Sequence, residues 1–358
     1  MEKRISRLQK NIKGDGKAFL ITSGVNRFYL TGFSSSEGAV LVTRKNAYLL
    51  VDFRYGEAAE KTVKSCKTVV FRKLFDSIKQ ICSEEKINEI FVERESVTLA
   101  IADRYKKAFK GFGVTISDDG ILDTLLCNFR KVKSNDEKDM LRTAQRITEE
   151  AYTEVLNYIK PGVEERKIAL ELEYLMRKKG ADGVSFDLIT ISGKKTSLPH
   201  GVPDDNAVKE GDFFLSDIGA LYRGYHSDMT RTVAVGYATD EMRKIYEIVL
   251  EAQISALKKV RNGVRAGDID STARGIIEKY GYGDKFGHST GHGVGLDIHE
   301  QPSVYKTNDT ILSEGMIITV EPGIYLPDKF GVRIEDMLAV TRNGCDNFAS
   351  IDKNLIVL

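Results

Sequence analysis

The sequence contains two copies of one pattern, about 100 residues apart, and this repeat limits the possible folds more than any other feature. Each copy predicts two helices followed by a hydrophobic hairpin. The first copy has helices over 137–160 and 164–179, and the second has helices over 240–260 and 268–280. This period is longer than that of a solenoid repeat. The pattern therefore predicts two fused half-domains related by a pseudo-two-fold axis.

The two predicted hairpins carry acidic residues at matched positions. In the first strand of each hairpin, a glycine is followed six residues later by an acid and eight residues later by another glycine. The acid is Asp217 in the first copy and Glu321 in the second. The second strands add Asp228 and Glu335. A pseudo-two-fold axis would bring all four carboxylates together.

A single acid in a hydrophobic strand has a simpler explanation, as a turn residue or an ion-pair partner. Arg231 or Arg333 could supply the counter-charge. Four acids at matched positions are harder to explain in this way, because an ionised carboxylate in a core is costly unless it is paired or bound to a metal. The repeat therefore favours a shared cation site.

Three of the five histidines lie in the glycine-rich segment 286–300, at His288, His292 and His299. By itself this segment is as consistent with a glycine-rich turn as with a site. A neutral imidazole is, however, the commonest metal ligand in proteins. Together with the four acids, His292 completes a set of hard oxygen ligands with one nitrogen. Such a set suits a pair of divalent ions such as Mn²⁺, Co²⁺ or Fe²⁺ better than a thiolate zinc site.

The first 130 residues predict a separate α/β domain. A basic stretch, Phe129–Lys133, is interpreted as a link, and Ser134 with Glu137 forms a capping box that opens a long helix. We therefore place the domains at 1–126 and 127–358. The elements predicted before the link are strands over 17–22, 38–43, 47–52 and 89–93, and helices over 56–66, 73–86 and 97–109.

Composition argues against several functional classes. The net charge is +1 with acids and bases interspersed, which argues against a nucleic-acid partner. No apolar run reaches membrane-spanning length, and no apolar leader follows Met1. The four cysteines are scattered, which is typical of reduced thiols in a cytoplasmic protein.

The site residues occur in a set of short motifs that resembles a known family. The motifs are Ser-Asp217-Ile-Gly, His226-Ser-Asp228-Met-Thr-Arg, Gly-His292-Gly-Val-Gly-Leu-Asp-Ile-His299-Glu, Thr-Val-Glu321-Pro-Gly and Val-Arg-Ile-Glu335-Asp. They resemble those of the pita-bread metallopeptidases: methionine aminopeptidase, aminopeptidase P and prolidase. The first 125 or so residues look like the creatinase-type N-terminal domain of the proline-specific branches. The resemblance implies an α/β N-terminal domain and an α+β C-terminal pita-bread (creatinase/aminopeptidase) domain containing the pseudo-two-fold repeat.

The resemblance also implies a cofactor and a reaction. The expected cofactor is two divalent metal ions, Mn²⁺ first, with Co²⁺, Fe²⁺ or Zn²⁺ as alternatives. The expected reaction is hydrolysis of the Xaa-Pro bond at a peptide N-terminus by a hydroxide that bridges the metals. The implied metal ligands are Asp217, Asp228, His292, Glu321 and Glu335.

The remaining roles also follow from the resemblance. Glu321 would carry the proton of the nucleophile in addition to binding metal. His200 and His299 would bind the scissile carbonyl oxygen or stabilise the tetrahedral intermediate. His288 and Arg333 are expected to contact substrate. The expected partners are proline-containing peptides and a second copy of the chain in a homodimer, and His226 is interpreted as a structural histidine of the pocket wall.

The substrate class is open between two activities. Aminopeptidase P cuts Xaa-Pro from longer peptides, whereas prolidase cuts Xaa-Pro dipeptides and must bind the free carboxylate of proline, usually with an arginine. Prolidases often place this arginine shortly after a His-Glu pair, where this chain has Ser303. The sequence therefore favours the aminopeptidase, and the segment 52–55 also resembles that branch. Prolidase is the alternative, because another arginine, including Arg54 of a partner subunit, could serve.

Two activities of other classes are disfavoured. Creatinase shares the fold but hydrolyses creatine without metal, and its ligand positions are replaced. Some relatives are binding proteins that have lost the site. The intact ligand set of this chain argues against both.

Overall fold

The computed structural model describes residues 1–358, which divide into two compact units, Met1–Phe129 and Arg130–Leu358. In the first unit the helices are α1 (Glu2–Gln9), α2 (Gly24–Thr31), α3 (Phe53–Thr62), α4 (Leu74–Glu85), α5 (Leu99–Phe109) and α6 (Ile121–Lys131). The strands are β1 (Lys17–Ile21), β2 (Ala39–Thr43), β3 (Ala47–Val51), β4 (Lys67–Val70), β5 (Glu89–Val92) and β6 (Thr115–Ser117). They form one sheet in the order β4-β3-β2-β1-β5-β6.

The N-terminal unit is the predicted α/β domain. Its central strands β1, β2 and β3 pair antiparallel, whereas β4, β5 and β6 add on in parallel. Residues of β2 and β3 are buried throughout, as is expected of strands covered on both faces. All four predicted strands and all three predicted helices of this unit are confirmed, with ends that differ by up to four residues.

The aromatic segment at 26–33 forms part of a helix that the sequence analysis did not predict. Ser23 caps α2 by accepting the Asn26 N–H, and Gly32 ends it with a φ of 71°, which glycine adopts without strain. Tyr29 on this helix is only 3% exposed. This aromatic residue therefore packs the interior of the domain.

The second unit contains the repeat. Its helices are α7 (Asn135–Val155), α8 (Glu165–Lys178), α9 (Asp240–Lys259) and α10 (Ala266–Lys279), with short 3-10 turns at Gly193–Ser197 and Gly283–Lys285. Its strands are β7 (Gly183–Val184), β8 (Ile189–Ser192), β9 (Phe213–Ile218), β10 (Ala220–Tyr222), β11 (Tyr225–His226), β12 (Met229–Ala234), β13 (Gly291–Gly293), β14 (Glu300–Val304), β15 (Ile317–Val320), β16 (Gly323–Leu326), β17 (Phe330–Arg333), β18 (Asp336–Val340) and β19 (Cys345–Asn347). The four predicted helices and the capping box of Ser134 and Glu137 are confirmed.

Each half of this unit packs a helix pair against a hairpin. In the first half, α7 and α8 share a core with β9 and β12, and β9 pairs antiparallel with β12 and β8. In the second half, α9 and α10 share a core with β15 and β18, which pair antiparallel within the sheet β14-β13-β15-β18-β19. The predicted order of helix, helix and hairpin is therefore confirmed in both copies.

The stretch Phe129–Lys133 differs from the predicted link. Helix α6 continues to Lys131, and Lys133 is 4% exposed although its residue type is almost always at the surface. The apolar residues Leu122, Leu126 and Phe129 already follow helical spacing and are buried. The basic residues that follow them interrupt the apolar spacing, so the sequence analysis interpreted the stretch as a link rather than as the end of a helix.

Two general expectations can be compared with the structure. None of the helices is both long enough and apolar enough to cross a membrane. The four cysteines form no disulfide, as the scattered spacing predicts.

Candidate metal centre

The two hairpins bring their acidic residues to the same ends of paired strands. Asp217 lies on β9 and Asp228 directly precedes β12, the strand paired with β9. Glu321 directly follows β15 and Glu335 directly precedes β18, the strand paired with β15. Three of the four acids therefore sit at strand ends rather than inside strands, where the backbone leaves its own ladder.

Hydrogen bonds between the halves join the two acidic pairs. Thr230 donates its hydroxyl to Glu335 Oε2 at 2.8 Å, and the Glu335 N–H donates to the Thr230 carbonyl at 3.1 Å. Glu335 therefore bonds across to β12 of the other half, and its side chain is only 1% exposed. The carboxylates of the two halves consequently face one shared interior.

His292 lies on β13 and points its Nε2 at acids from both halves. This nitrogen is 3.4 Å from Asp228 Oδ2 and 3.4 Å from Glu321 Oε1. The opposite ring nitrogen, Nδ1, lies 3.0 Å from the Gly293 carbonyl and donates to it. A hydrogen bond from the opposite ring nitrogen fixes the ring and leaves Nε2 available as a ligand.

The five ligand residues predicted from the sequence lie close together in one interior, and each makes different contacts there. Asp228, His292 and Glu335 each offer a ligand atom, and these atoms lie within 4.8 Å of one another. Glu321 joins them through the contact with His292. Asp217 has one oxygen, Oδ1, that is buried and has no hydrogen-bond partner. The five residues therefore line a common volume that includes one carboxylate oxygen without a partner.

The site carries the electrostatic strain expected of clustered acids. Burial, with the nearby charges of Asp217 and Glu321, raises the pKa of Asp228 to about 7 despite the hydrogen bond to His292. Burial also raises the pKa values of Glu321 and Glu335. Burial opposes the charged form of His292, but the hydrogen bond to Asp228 and the charge of Glu321 outweigh it and raise its pKa to about 9.

These observations fit a divalent metal centre. Four carboxylates and one imidazole are the ligands that Mn²⁺, Co²⁺ or Fe²⁺ accept, and they include no thiolate. The buried Oδ1 of Asp217 has no partner, and the neighbouring carboxylates repel one another. A bound cation would satisfy the oxygen and reduce the repulsion. The residues present could therefore hold one or two divalent ions, with the oxygens of the two halves on either side.

Arg333, which the sequence analysis assigned to substrate contact, is occupied by groups of its own chain. Its Nη2 lies 2.5 Å from Asp217 Oδ2, and its Nε donates to the Thr230 hydroxyl at 3.1 Å. Its Nη1 donates to the Tyr325 hydroxyl at 2.8 Å and to the Pro199 carbonyl at 3.2 Å. Asp217 therefore has the ion-pair partner that the simpler explanation envisaged, and it uses only one oxygen for it.

Changing this guanidinium should weaken metal binding. Arg333→Lys keeps the charge but loses the planar fork that bonds Asp217, Thr230 and Tyr325 together. We expect metal affinity to fall by roughly 10-fold to 100-fold, as is typical for residues that orient a ligand. Isothermal titration with Mn²⁺ measures this directly. Unchanged affinity in a folded Arg333→Lys protein would show that Asp217 needs no such support.

His288 is likewise held by neighbours within the chain. Its Nδ1 donates to the Ser289 carbonyl at 2.8 Å, and its Nε2 lies 2.8 Å from the Tyr325 hydroxyl. Burial, together with the charge of Arg333, lowers the pKa of His288 to about 4. The neutral Nε2 accepts the Tyr325 O–H, so a hydrogen-bonded chain runs from His288 through Tyr325 and Arg333 to Asp217.

The other three histidines occupy different environments. The His299 ring packs edge-on against His292 with centroids 4.4 Å apart, and burial together with the charges of His292 and His200 lowers its pKa. His200 is exposed. His226 is structural in the way the sequence analysis proposed, since its Nδ1 lies 2.9 Å from the Ser185 hydroxyl.

Sequence reasoning missed the residues that support the site. Thr230 bonds Glu335 and Arg333, and Tyr325 bonds Arg333 and His288. Neither residue type stands out in the sequence. The pattern Tyr-Leu after Glu-Pro-Gly gives no sign that the Tyr325 hydroxyl faces Arg333 and His288. Only its position, four residues after the strand-end acid Glu321, could have drawn attention to Tyr325.

Comparisons with known proteins cover nearly the whole chain. A model described as metallopeptidase family M24 matches residues 139–342, and one described as creatinase/prolidase N-terminal domain matches residues 4–125. A Xaa-Pro dipeptidase of Pyrococcus horikoshii is 39% identical over 345 residues, which are 95% of this chain and 94% of that protein.

Two solved structures show the same fold. A Xaa-Pro dipeptidase from Bacillus anthracis has a TM-score of 0.94 and 38% identity, with 99% of each chain covered. An X-Pro aminopeptidase from Thermotoga maritima has a TM-score of 0.91 and 37% identity, with 100% of this chain and 99% of that one covered. These likenesses confirm the predicted fold class, an α/β N-terminal domain followed by an α+β domain with an internal repeat.

Proposed function

Since the chain belongs to metallopeptidase family M24 and carries a creatinase/prolidase-type N-terminal domain, we propose that it is a Xaa-Pro dipeptidase that hydrolyses Xaa-Pro dipeptides. The observation that carries this proposal is the convergence of Asp228, His292 and Glu335, with a buried and unpartnered Asp217 oxygen, in one interior. A site of this composition fits the divalent metal ions on which the family depends. We propose Mn²⁺ as the resident metal.

The relatives favour the dipeptidase over the aminopeptidase that the sequence analysis preferred. Two curated relatives, 39% and 37% identical over at least 95% of this chain, are named Xaa-Pro dipeptidase, and so is the Bacillus anthracis structure. The aminopeptidase is the second candidate because Ser303 offers no positive charge and the Thermotoga maritima relative carries that name.

The proposed ligands are the five residues that converge on the interior. When bound there, two divalent ions supply a water that is nucleophilic near neutral pH and a positive charge that polarises the scissile carbonyl. Asp217 would bind through its free Oδ1 while Arg333 holds Oδ2. Glu335 would bind while the Thr230 hydroxyl fixes its Oε2. The ligand set is Asp217, Asp228, His292, Glu321 and Glu335.

The remaining residues act on protons and on the peptide. Glu321 would receive the proton of the attacking water on a carboxylate oxygen and pass it to the leaving proline nitrogen. His299 and His200 would each donate a ring N–H to the scissile carbonyl oxygen as negative charge develops there. Arg333, Tyr325 and His288 would hold the metal ligands in place rather than contact the peptide.

The proposal is tested by comparing peptides that differ only in length. We expect Mn²⁺-loaded protein to cleave Ala-Pro with a higher kcat/KM than Ala-Pro-Ala. A charge-assisted bond to the free proline carboxylate contributes about 1.5–3 kcal/mol, which corresponds to a preference of roughly 10-fold to 100-fold. The measurement is initial-rate kinetics with release of free proline or of Pro-Ala as the readout.

Two outcomes would change the assignment. A clear preference for Ala-Pro-Ala would make the protein an Xaa-Pro aminopeptidase, in line with Ser303. Cleavage of Ala-Ala as fast as Ala-Pro would remove proline from the substrate class. Asp228→Asn, prepared in the same way, controls for contaminating peptidases and should cleave none of the three.

A further inference from the structure

Glu300, the residue that follows His299, belongs to a cluster of four charged side chains. Glu300 Oε2 lies 2.9 Å from Lys133 Nζ, and Glu300 Oε1 lies 2.5 Å from Arg130 Nη2. The same Arg130 nitrogen lies 2.5 Å from Asp297 Oδ2. The side chains of Lys133 and Glu300 are 1% and 6% exposed. Neither belongs to the metal-ligand set, so this buried ion pair needs a separate explanation.

The Glu300 carboxylate holds the backbone that leads to His299. Its Oε1 accepts the N–H of Leu296 at 2.9 Å and the N–H of Asp297 at 3.2 Å. A Cβ on Gly295 would lie only 2.5 Å from the same oxygen, so the carboxylate fills the space that glycine leaves. Residues 295–300 therefore form a closed loop around one carboxylate, and His299 is the last residue before it.

The His299 ring depends on this loop for its position. None of its ring nitrogens has a hydrogen-bond partner in the chain, and its defined contact is the edge-on packing against His292. By contrast, both nitrogens of His288 are fixed by hydrogen bonds. The placement of the His299 ring is thus set by its own backbone.

The charge of Glu300 depends on its cationic partners. Burial alone would raise the pKa of Glu300, but the charges of Lys133 and Arg130 outweigh burial and lower it. Removing one partner of a buried ion pair leaves an uncompensated charge, which is strongly destabilising for the local arrangement. The loop, the carboxylate and the two cations therefore form one unit.

We propose that Glu300, held by Lys133 and Arg130, is a positioning residue that sets the location of the His299 ring toward the peptide. The inference rests on the proposed function, because it assigns His299 to the scissile carbonyl. It also gives the stretch at 130–133, directly after the N-terminal unit, a role in the site. A misplacement of about 1 Å at a catalytic group can lower the rate by up to about 100-fold.

The first test is Glu300→Gln in the Mn²⁺-loaded protein. Glutamine keeps the shape and one acceptor oxygen but removes the charge that Lys133 and Arg130 require. We expect kcat for Ala-Pro to fall by about 10-fold to 100-fold, with KM and bound metal unchanged. The matched control is Glu149→Gln, a buried carboxylate that accepts the N–H groups of Ser350 and Ile351, and its kcat should not change. A wild-type kcat in Glu300→Gln overturns the proposal.

The same substitution in a His299→Ala protein shows whether Glu300→Gln lowers kcat by displacing the His299 ring. In His299→Ala protein the ring is absent, so adding Glu300→Gln should lower kcat no further. An equal additional loss in both backgrounds would mean that Glu300 acts on something other than His299, and this also overturns the proposal.

Gly295→Ala reaches the same carboxylate without changing any charge, and it covers the case in which Glu300→Gln does not fold. Its added Cβ displaces Glu300 Oε1, while the backbone at Gly295 does not lie in the left-handed region. We expect a fall in kcat similar to that of Glu300→Gln. A Gly295→Ala protein with wild-type kcat contradicts the proposal.

A readout without substrate separates this inference from the proposed function. The chain has five histidines, so the ring resonances of ¹⁵N-histidine-labelled protein can be assigned by single substitutions. Glu300→Gln should shift the His299 resonances and leave those of His288 in place. A wild type inactive on every Xaa-Pro peptide that still shows this shift would refute only the proposed function. Unshifted His299 resonances would refute the positioning role.

Discussion

We expect Asp228→Asn and Glu335→Gln each to reduce kcat for Ala-Pro by roughly 10³-fold or more, because a metal ion contributes several kcal/mol of transition-state stabilisation. Both substitutions preserve size but remove an ionised ligand from the point where His292 and the two hairpins meet. The number of bound Mn²⁺ ions should fall at the same time. Elemental analysis of the dialysed proteins, together with kinetics at saturating Ala-Pro, measures both effects.

Chelation gives the same result without a substitution. Dialysis against EDTA should abolish activity, and added Mn²⁺ or Co²⁺ should restore it. Glu149→Gln serves again as the control carboxylate, since it is buried and hydrogen-bonded but offers no oxygen to the centre. Full activity in protein shown to be free of metal would remove the metal centre from the mechanism.

His299→Ala and His200→Ala should retain metal but turn over slowly. In the proposed mechanism each removes one donor to the oxygen that gains charge in the transition state, and losing one such hydrogen bond typically lowers kcat by about 10²–10³-fold. The contrast is His226→Ala, whose ring is bonded to Ser185 and should affect kcat little. Steady-state kinetics and metal content on the same preparations separate these cases.

The outcome for the two histidines need not be the same. A large loss of kcat in His299→Ala with none in His200→Ala would leave His299 as the single donor. His200 would then be a surface residue without a catalytic role. Unchanged kcat in both would exclude them from the chemistry, even if the metal centre is correct.

The repeat and the ligand types could be predicted because metal chemistry restricts residue identity at fixed spacings. Asp217 and Glu321 stand at the same place in matched hairpins, and that symmetry is visible in the sequence. The helix pairs could be predicted for a similar reason, since long amphipathic helices leave a clear period. A short helix such as α2, which is rich in aromatic residues, shows a much weaker hydrophobic periodicity in the sequence.

The supporting contacts could not be predicted from the sequence. Lys133 and Glu300 are 167 residues apart, and a lysine in a basic stretch is ordinarily solvated. Arg333 is a related case, because the resemblance suggested a substrate contact and gave no sign that its guanidinium is bonded to Asp217 and Tyr325. In each case the partner decides the role, and partners distant in sequence appear only in the folded chain.

The hydrogen bonds between the two halves have a consequence for the order of folding. Thr230 pairs with Asp217 within its own hairpin, 13 residues away, but reaches Glu335 across 105 residues. Closing a long loop costs more conformational entropy than closing a short one, and non-local contacts slow folding. Each hairpin can therefore form early from local contacts, whereas the interior that gathers all four acids exists only after the halves have docked. A nascent or partly folded chain accordingly has helices and hairpins but no complete peptidase site, so proteolytic activity is withheld until folding is nearly finished.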